Sequence, residues 1–147
     1  MFPPINQIGI VVKDAEKAAE YYSSTFGIGP FTIYDTNLQR ATLYGEPSPS
    51  RLKMAIAQGG VMEIELIQVL EGGEFYTDFL HNKGEGLHHA GSYTDNFDSY
   101  NRILAEMIRQ GINPSFQYGG KSLSFTYFDT QAIGGVILEL IYLKQEG

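Results

Sequence analysis

The chain of 147 residues contains no cysteine and only three histidines. The absence of cysteine excludes a disulfide scaffold, an iron–sulfur cluster, a zinc site built on thiolates and a cysteine nucleophile. Any metal site in this protein must therefore use histidine, carboxylate and amide side chains as its ligands.

Basic side chains are also scarce, since 10 lysines and arginines stand against 17 acidic residues and give a formal net charge of −7. They are scattered singly, which argues against nucleic acid or an anionic membrane as a partner. The longest apolar run, residues 136–143, is interrupted by Glu139 and is too short to span a bilayer. The N-terminal residues Met1-Phe2-Pro3-Pro4 do not form a signal peptide, so the sequence predicts a cytoplasmic protein.

The length fits one domain, and an apolar share of 43% with nine Phe and ten Tyr predicts a packed core. Short motifs of the first half recur in the second half in the same order, which indicates an internal repeat. The matching pairs are Asn6-Gln7-Ile8-Gly9 with His88-His89-Ala90-Gly91, Gly27-Ile28 with Gly111-Ile112, and Ile64-Glu65-Leu66-Ile67 with Leu138-Glu139-Leu140-Ile141.

Each half is predicted to fold as β-α-β-β-β. In the first half, apolar patterning predicts a strand at 5–12, a helix from Asp14 to Gly27, and strands at 31–35, 52–58 and 61–68. In the second half it predicts a strand at 87–93, a helix from Phe97 to Gly111, and strands at 115–117, 122–129 and 136–143. The polar join at 71–86 contains a predicted short helix at 75–81.

Two glutamates stand in unusual places. Glu139 lies in a strand that is apolar on both sides, so its carboxylate must be paired with a basic residue, neutralised or bound to a metal. Glu65 occupies the matching place in the first half, but Glu63 shares its face and a solvated edge strand would also explain it.

Two histidines and a glutamine open the first strands of the two halves. Side chains alternate along a strand, so only one of His88 and His89 is expected to face a given site, and Gln7 matches His89 in the repeat. If the two halves pair about a twofold axis, Gln7 and Glu65 face His89 and Glu139. One amide, one imidazole and two carboxylates suit a first-row divalent ion or magnesium.

These motifs resemble the vicinal oxygen chelate superfamily, which includes glyoxalase I, methylmalonyl-CoA epimerase, extradiol dioxygenases, and fosfomycin and bleomycin resistance proteins. The resemblance covers nearly the whole chain, and Gly84-Glu-Gly-Leu-His-His-Ala90 is similar to methylmalonyl-CoA epimerases in particular. The other segments that show the resemblance are residues 5–14, Tyr21-Tyr22 before Phe26-Gly27, Ile64-Glu-Leu66 and Gly135-Val-Ile-Leu-Glu-Leu140.

The resemblance implies an α+β fold in which two βαβββ modules form a cup-shaped, half-open β-barrel. It implies one glyoxalase-like domain over residues 1–147, with modules at 1–70 and 87–147, a linker at 71–86, and pairing of two chains as a homodimer.

The resemblance also implies a metal centre whose ligands are Gln7, Glu65, His89 and Glu139, holding zinc, cobalt, nickel, manganese or magnesium. Epimerases usually carry histidine where this chain has Gln7, and commonly glutamine where it has Glu65. Zinc-type glyoxalase I carries Gln, Glu, His and Glu at the four places. The ligand set thus resembles glyoxalase I, whereas the surrounding sequence resembles the epimerase.

Three functions remain open. The first is a metal-dependent isomerase or epimerase that removes and returns a proton next to a metal-bound carbonyl of a small substrate, with Glu139 as base and Glu65 as its partner. The second is a glyoxalase I-type lyase acting on a hemithioacetal. The third is a non-catalytic protein that binds or sequesters a small molecule, for which a Glu139 paired with a protein cation would be the sign.

Further side chains are expected around the cup. Lys53 is a candidate anchor for a substrate anion, although a solvated strand lysine is the favoured interpretation. The tyrosines expected to line the cup are Tyr34, Tyr44, Tyr93, Tyr118 and Tyr127.

Overall fold

The computed structural model describes residues 1–145, which form three helices and ten strands in a single sheet. The helices are α1 (Ala15–Phe26), α2 (Glu74–Lys83) and α3 (Phe97–Arg109). The strands are β1 (Gln7–Val11), β2 (Thr32–Leu38), β3 (Thr42–Leu43), β4 (Glu46–Pro47), β5 (Ser50–Gly59), β6 (Met62–Gly72), β7 (Gly86–Tyr93), β8 (Pro114–Gly119), β9 (Leu123–Phe128) and β10 (Ile137–Leu143). None of the helices in this described part of the chain is long and apolar enough to cross a membrane.

The first helix of each half begins at a side-chain cap. Asp14 accepts a hydrogen bond from the backbone N–H of Lys17 at 3.0 Å, and Asn96 accepts one from Ser99 at 2.8 Å. Gly27 ends α1 in the left-handed conformation, with φ of 70°, which a residue with a side chain adopts at a cost. Both helices therefore begin where the polar residues of the sequence predict.

Helices α1 and α3 pack on the outer face of the sheet through apolar residues. Ala15 and Ala19 of α1 lie against Ala55 and Leu66. In the second half, the buried residues of α3 and its neighbouring strands are Tyr100, Ile103, Phe128 and Leu140. Burial of these apolar faces is the main stabilising contribution of each helix.

The sheet joins the two halves through their first strands. β1 and β7 pair antiparallel, and each also pairs in parallel with the last strand of its own half, β6 or β10. The strand order is β2-β5-β6-β1-β7-β10-β9-β8-β3-β4. The predicted α+β fold with a curled, half-open sheet is confirmed, and four adjacent central strands carry the residues singled out in the sequence.

A β-bulge interrupts the central pairing at the histidine pair. Gly9 is paired with His89 but Ile10 is paired with Leu87, so His88 is the extra residue of β7. A bulge re-aims the side chains around it. Both His88 and His89 are consequently buried, with 3% and 0% of their surfaces exposed.

The hairpin of β3 and β4 was not predicted. Its strands have two residues each, which is too short for a hydrophobic period to appear in the sequence. Thr42 of β3 pairs with Gln117 of β8, so this piece of the first half extends the sheet of the second half. Several other strands are longer than predicted, including β2, β5 and β6.

Candidate metal centre and active site

The concave face of the sheet encloses a cup with a volume of about 200 Å³ that is open on one side. Four neighbouring strands supply the floor: β6 carries Glu65, β1 carries Gln7, β7 carries His89 and β10 carries Glu139. All four side chains are buried, with 8%, 1%, 0% and 4% of their respective surfaces exposed. The structure thus brings the four predicted side chains together.

The polar atoms of these side chains converge on Nε2 of His89. That nitrogen lies 3.1 Å from Oε1 of Gln7, 3.1 Å from Oε1 of Glu139 and 3.6 Å from Oε1 of Glu65. Donor atoms that share a divalent ion at about 2.0–2.2 Å lie roughly 3.0–3.4 Å apart. The observed separations are close to that spacing.

The donors nevertheless contact one another. Among residues 1–145, no three His, Asp or Glu side chains form a preassembled metal-binding group. The candidate set includes the amide of Gln7 as a fourth donor. Nε2 of His89 donates its proton to Oε1 of Gln7 at 3.1 Å, so an ion could bind that nitrogen only when the ring proton lies on Nδ1 instead.

Two glycines make room for the two ligands of the first strands. A Cβ on Gly9 would lie within 2.5 Å of three ring atoms of His89, and a Cβ on Gly91 would lie 2.7 Å from Oε1 of Gln7. Each glycine stands two residues after the ligand of its own half and faces the ligand of the other half. This reciprocal contact explains the repeated glycine in Asn6-Gln7-Ile8-Gly9 and His88-His89-Ala90-Gly91.

Gln7 is oriented by a carboxylate that was not predicted as a site residue. Its Nε2 donates to Oε1 of Glu63 at 2.8 Å, and the Tyr93 hydroxyl donates to the same oxygen at 2.6 Å. Gln58 donates to the other oxygen of Glu63 at 3.0 Å. Because the amide nitrogen is engaged in this way, the amide oxygen faces His89. The signal for Glu63 was its position two residues before Glu65, on the same face of the strand.

His88 orients His89. The two Nδ1 atoms lie 2.9 Å apart, and since only a protonated nitrogen can donate to the other, the pair shares one proton there. The His88 ring packs between Phe75 and Phe79, at centroid distances of 5.0 and 4.9 Å, and its Nε2 has no hydrogen-bond partner. Strand alternation would place the two rings on opposite faces, and the bulge overrides it.

Burial keeps both imidazoles neutral. Desolvation lowers the pKa of His88 to about 2 and that of His89 to about 3, and the neighbouring His89 contributes to the shift of His88. A neutral imidazole is the form that binds metals and accepts protons.

The two buried glutamates experience the opposite shift. Burial raises the pKa values of Glu65 and Glu139 well above the ordinary value, and the charge of Glu139 raises that of Glu65 further. Neither forms an ion pair with a lysine or arginine among residues 1–145. Oε1 of Glu139 has no hydrogen-bond partner. Two buried carboxylates without a protein cation, one with an orphaned oxygen, fit a site for a divalent ion.

Some of the other side chains predicted to line the cup do so, and others lie outside it. Tyr34, Tyr93 and Tyr127 line it, whereas Tyr44 and Tyr118 are not among the residues that line it. Lys53 is not in the cup either, because it forms ion pairs with Glu16 at 2.9 Å and Asp35 at 3.8 Å. The solvated-lysine interpretation was therefore correct for Lys53. Tyr76, which α2 contributes to the cup, was not predicted because nothing in the sequence showed where the linker helix docks.

Comparisons with known proteins agree with this architecture. Uncharacterized protein YqjC of Bacillus subtilis (strain 168) is 24% identical over 137 residues, which are 92% of this chain and 89% of that protein. The structure is similar to methylmalonyl-CoA epimerase from Mycobacterium tuberculosis, with a TM-score of 0.70, 19% identity, and coverage of 96% of this chain and 88% of that chain.

The structure is likewise similar to a variant of Streptomyces coelicolor methylmalonyl-CoA epimerase in complex with 2-nitronate-propionyl-CoA. The TM-score is 0.72 and the identity 22%, and the match covers 99% of this chain and 100% of that chain. The model of the Glyoxalase/Bleomycin resistance protein/Dioxygenase superfamily matches residues 6–127. With that match over most of its length, a repeated β-α-β-β-β order and two first strands paired at the centre of the sheet, the chain belongs to the Glyoxalase/Bleomycin resistance protein/Dioxygenase superfamily.

Proposed function

We propose that this protein is a divalent-metal-dependent enzyme that removes and returns a proton next to the carbonyl group of a small substrate, as an epimerase or isomerase does. The observation that carries the proposal is the convergence of Gln7, Glu65 and Glu139 on Nε2 of His89 at the floor of the cup. The likeness of the fold to methylmalonyl-CoA epimerases supports the same reaction type.

The proposed ligands are Gln7, Glu65, His89 and Glu139, held on four adjacent strands. When bound, a divalent ion there would supply Lewis acidity toward a substrate carbonyl oxygen. The two glutamates would balance its charge, and His89 would remain neutral because its pKa is depressed to about 3. Zinc, cobalt, nickel, manganese and magnesium all accept such a set of nitrogen and oxygen donors.

Glu139 is the proposed base and Glu65 its partner. Burial raises the pKa of Glu139, which makes its carboxylate a stronger proton acceptor than an exposed glutamate. Its Oε1 has no hydrogen-bond partner, so a proton accepted there would not displace an existing hydrogen bond. Glu65 projects from the other half of the sheet and would deliver a proton from the opposite side.

Deuterium exchange tests this proposal. Protein purified without chelator and then loaded with each candidate ion should catalyse exchange of the α-proton with deuterated solvent in a panel of acyl thioesters and 1,3-dicarbonyl compounds that includes methylmalonyl-CoA. Glu139→Gln should abolish exchange, and Glu139→Ala should also reduce the metal content measured by elemental analysis. Equal metal content in wild type and Glu139→Ala would contradict the ligand set, and no exchange on any compound would contradict the reaction.

A glyoxalase I-type lyase is the second candidate, and the ligand set favours it. Zinc-type glyoxalase I enzymes carry Gln, Glu, His and Glu as ligands, and the same residue types stand here in the same order as Gln7, Glu65, His89 and Glu139. Turnover of methylglyoxal mixed with a small thiol, by the metal-loaded protein, would support this function over the epimerase. A protein that only binds small molecules is less well supported, because no lysine or arginine among residues 1–145 pairs with Glu139.

We also propose a homodimer. The edge strand β2 exposes Ile33, which leaves 42% of its surface accessible. The unpaired backbone groups of an exposed edge strand can pair with the edge strand of another chain. Light scattering on the purified protein measures the mass, and a monomer at micromolar concentration would contradict this proposal.

A further inference from the structure

We infer that the cup selects an uncharged carbonyl compound with an apolar or aromatic body, and discriminates against a substrate that carries a carboxylate beside the reacting carbon. This inference rests on the proposed function and concerns the substrate class of the same site. Its basis is the distribution of charge and apolar surface in the cup, where three carboxylates are the only charged side chains and most of the other lining residues among residues 1–145 are apolar or aromatic.

Three carboxylates line the cup, those of Glu63, Glu65 and Glu139. A divalent ion held by Glu65 and Glu139 would cancel their two charges, so one negative charge would remain on Glu63. That carboxylate is fixed in place because Gln7, Tyr93 and Gln58 all donate to it. Its partners are neutral donors, so they orient the charge without removing it.

No basic side chain lines the cup among residues 1–145. The two basic residues of the adjacent strand β5 are engaged elsewhere, since Lys53 pairs with Glu16 and Arg51 with Glu71. Positions 52, 54 and 56 of the same strand point into the cup and carry leucine, methionine and isoleucine. A substrate carboxylate would consequently meet Glu63 with no cation of the protein beside it.

The rest of the wall suits an apolar or aromatic group. Met54, Phe125 and Ile141 face the cup together with the rings of Tyr34 and Tyr127. Burial and the charges of Glu65 and Glu63 raise the pKa of Tyr34 to about 12, so its hydroxyl stays protonated and remains a neutral donor. Burial of a ring against such a surface is favourable, whereas burial of an unpaired anion is costly.

A matched pair of compounds tests the inference. The N-acetylcysteamine thioester of methylmalonate and the methyl ester of that thioester share one thioester skeleton and lack the phosphates of CoA. They differ by one charge and one ester methyl group. Binding to the metal-loaded protein is measured by isothermal titration calorimetry at low salt. The neutral ester should bind at least about tenfold more tightly than the carboxylate, and the analogue with benzyl in place of the C2 methyl should bind more tightly still.

The variant Glu63→Gln keeps the side-chain volume and removes the charge. It should reduce the preference for the neutral ester about tenfold, mainly by improving binding of the carboxylate. Equal or tighter binding of the carboxylate by the wild-type protein would overturn the inference, even if deuterium exchange is observed. Absence of exchange with both compounds, despite selective binding of the ester, would instead contradict the proposed reaction and leave the charge selectivity standing.

Discussion

A single methyl group on Gly9 should disable the site. Gly9 has no positive φ, so alanine is compatible with its backbone, and the effect of Gly9→Ala is purely steric. The new Cβ would lie within 2.5 Å of Nδ1, Nε2 and Cε1 of His89, whereas carbon atoms in contact normally stay about 3.5–4.0 Å apart. The imidazole would have to withdraw by roughly 1 Å or more.

The ring has little space into which it can withdraw. His89 is completely buried, hydrogen-bonded through Nδ1 to His88 and through Nε2 to Gln7, and its ring centroid lies 4.9 Å from that of Tyr127. Overpacking of a buried site costs about 1–3 kcal/mol. Replacing glycine by alanine also lowers the conformational entropy of the unfolded chain, which stabilises the fold by only about 0.4–1 kcal/mol. The net effect of Gly9→Ala is therefore destabilising.

Displacement of His89 should also lower the affinity for a divalent ion by about 10–100-fold, which is the typical loss when a metal ligand is no longer held in its orientation. Isothermal titration calorimetry with Zn²⁺ and Mn²⁺ measures the affinity, and thermal unfolding measures the stability. A one-dimensional ¹⁵N-edited spectrum of the histidine rings reports the position of His89 without any metal.

Gly86→Ala is the matched control, because it lies on β7, the strand that carries His89, and no heavy atom lies within 4 Å of its added Cβ. It should leave metal affinity and the histidine spectrum unchanged. If Gly9→Ala also kept wild-type Tm, metal affinity and histidine resonances, the argument that Gly9 forms the space for His89 would be refuted.

Three further predictions concern Glu139, His88 and Lys53. In chelator-treated protein, Glu139→Gln should raise the Tm at about pH 8 and leave it nearly unchanged at about pH 4. Burial raises the pKa of Glu139 in the folded protein, so the carboxyl group destabilises the fold at pH values above its pKa in the unfolded chain. Below that pKa the carboxyl group is protonated in both the folded and the unfolded chain, and the substitution should have little effect. An equal shift at both pH values would contradict this. His88→Phe retains the packing against Phe75 but removes the hydrogen-bond partner of Nδ1 of His89. The ¹⁵N spectra should therefore show a changed tautomer ratio for His89, with a small change in Tm. An unchanged ratio would show that His88 does not set the tautomer. Lys53→Ala should leave deuterium exchange and substrate affinity within about twofold of wild type, since Lys53 pairs with Glu16 away from the cup; a tenfold loss would place it in substrate binding.

The fold could be predicted from the sequence because its signals are periodic and repeated. Apolar strands, capped helices and the recurrence of two blocks in the same order all depend on local patterning, and the structure preserves each of them. The β3–β4 hairpin could not be predicted, because strands of two residues are held by their pairing with β8 and have no pattern of their own.

The candidate site shows a similar limit. Glu139 was conspicuous because a carboxylate in an apolar strand is costly, and Gln7, Glu65 and His89 followed from the repeat. The position of His88 depends on a β-bulge, which alternation along a strand does not anticipate. Tyr76 reaches the cup only because α2 docks there, and docking of a linker helix has no signature in the sequence.

The repeat also explains why the two halves of the site are not equivalent. Each half gives one residue from its first strand and one glutamate from its last strand, and each first-strand residue rests against a glycine of the other half. The residues that orient them have diverged, since Glu63 holds Gln7 whereas His88 holds His89. The position that matches Glu63 in the second half is Ile137. The extra negative charge therefore lies on one side of the cup only, and it is this asymmetry, rather than the shared donor set, that should decide which substrates the cup accepts.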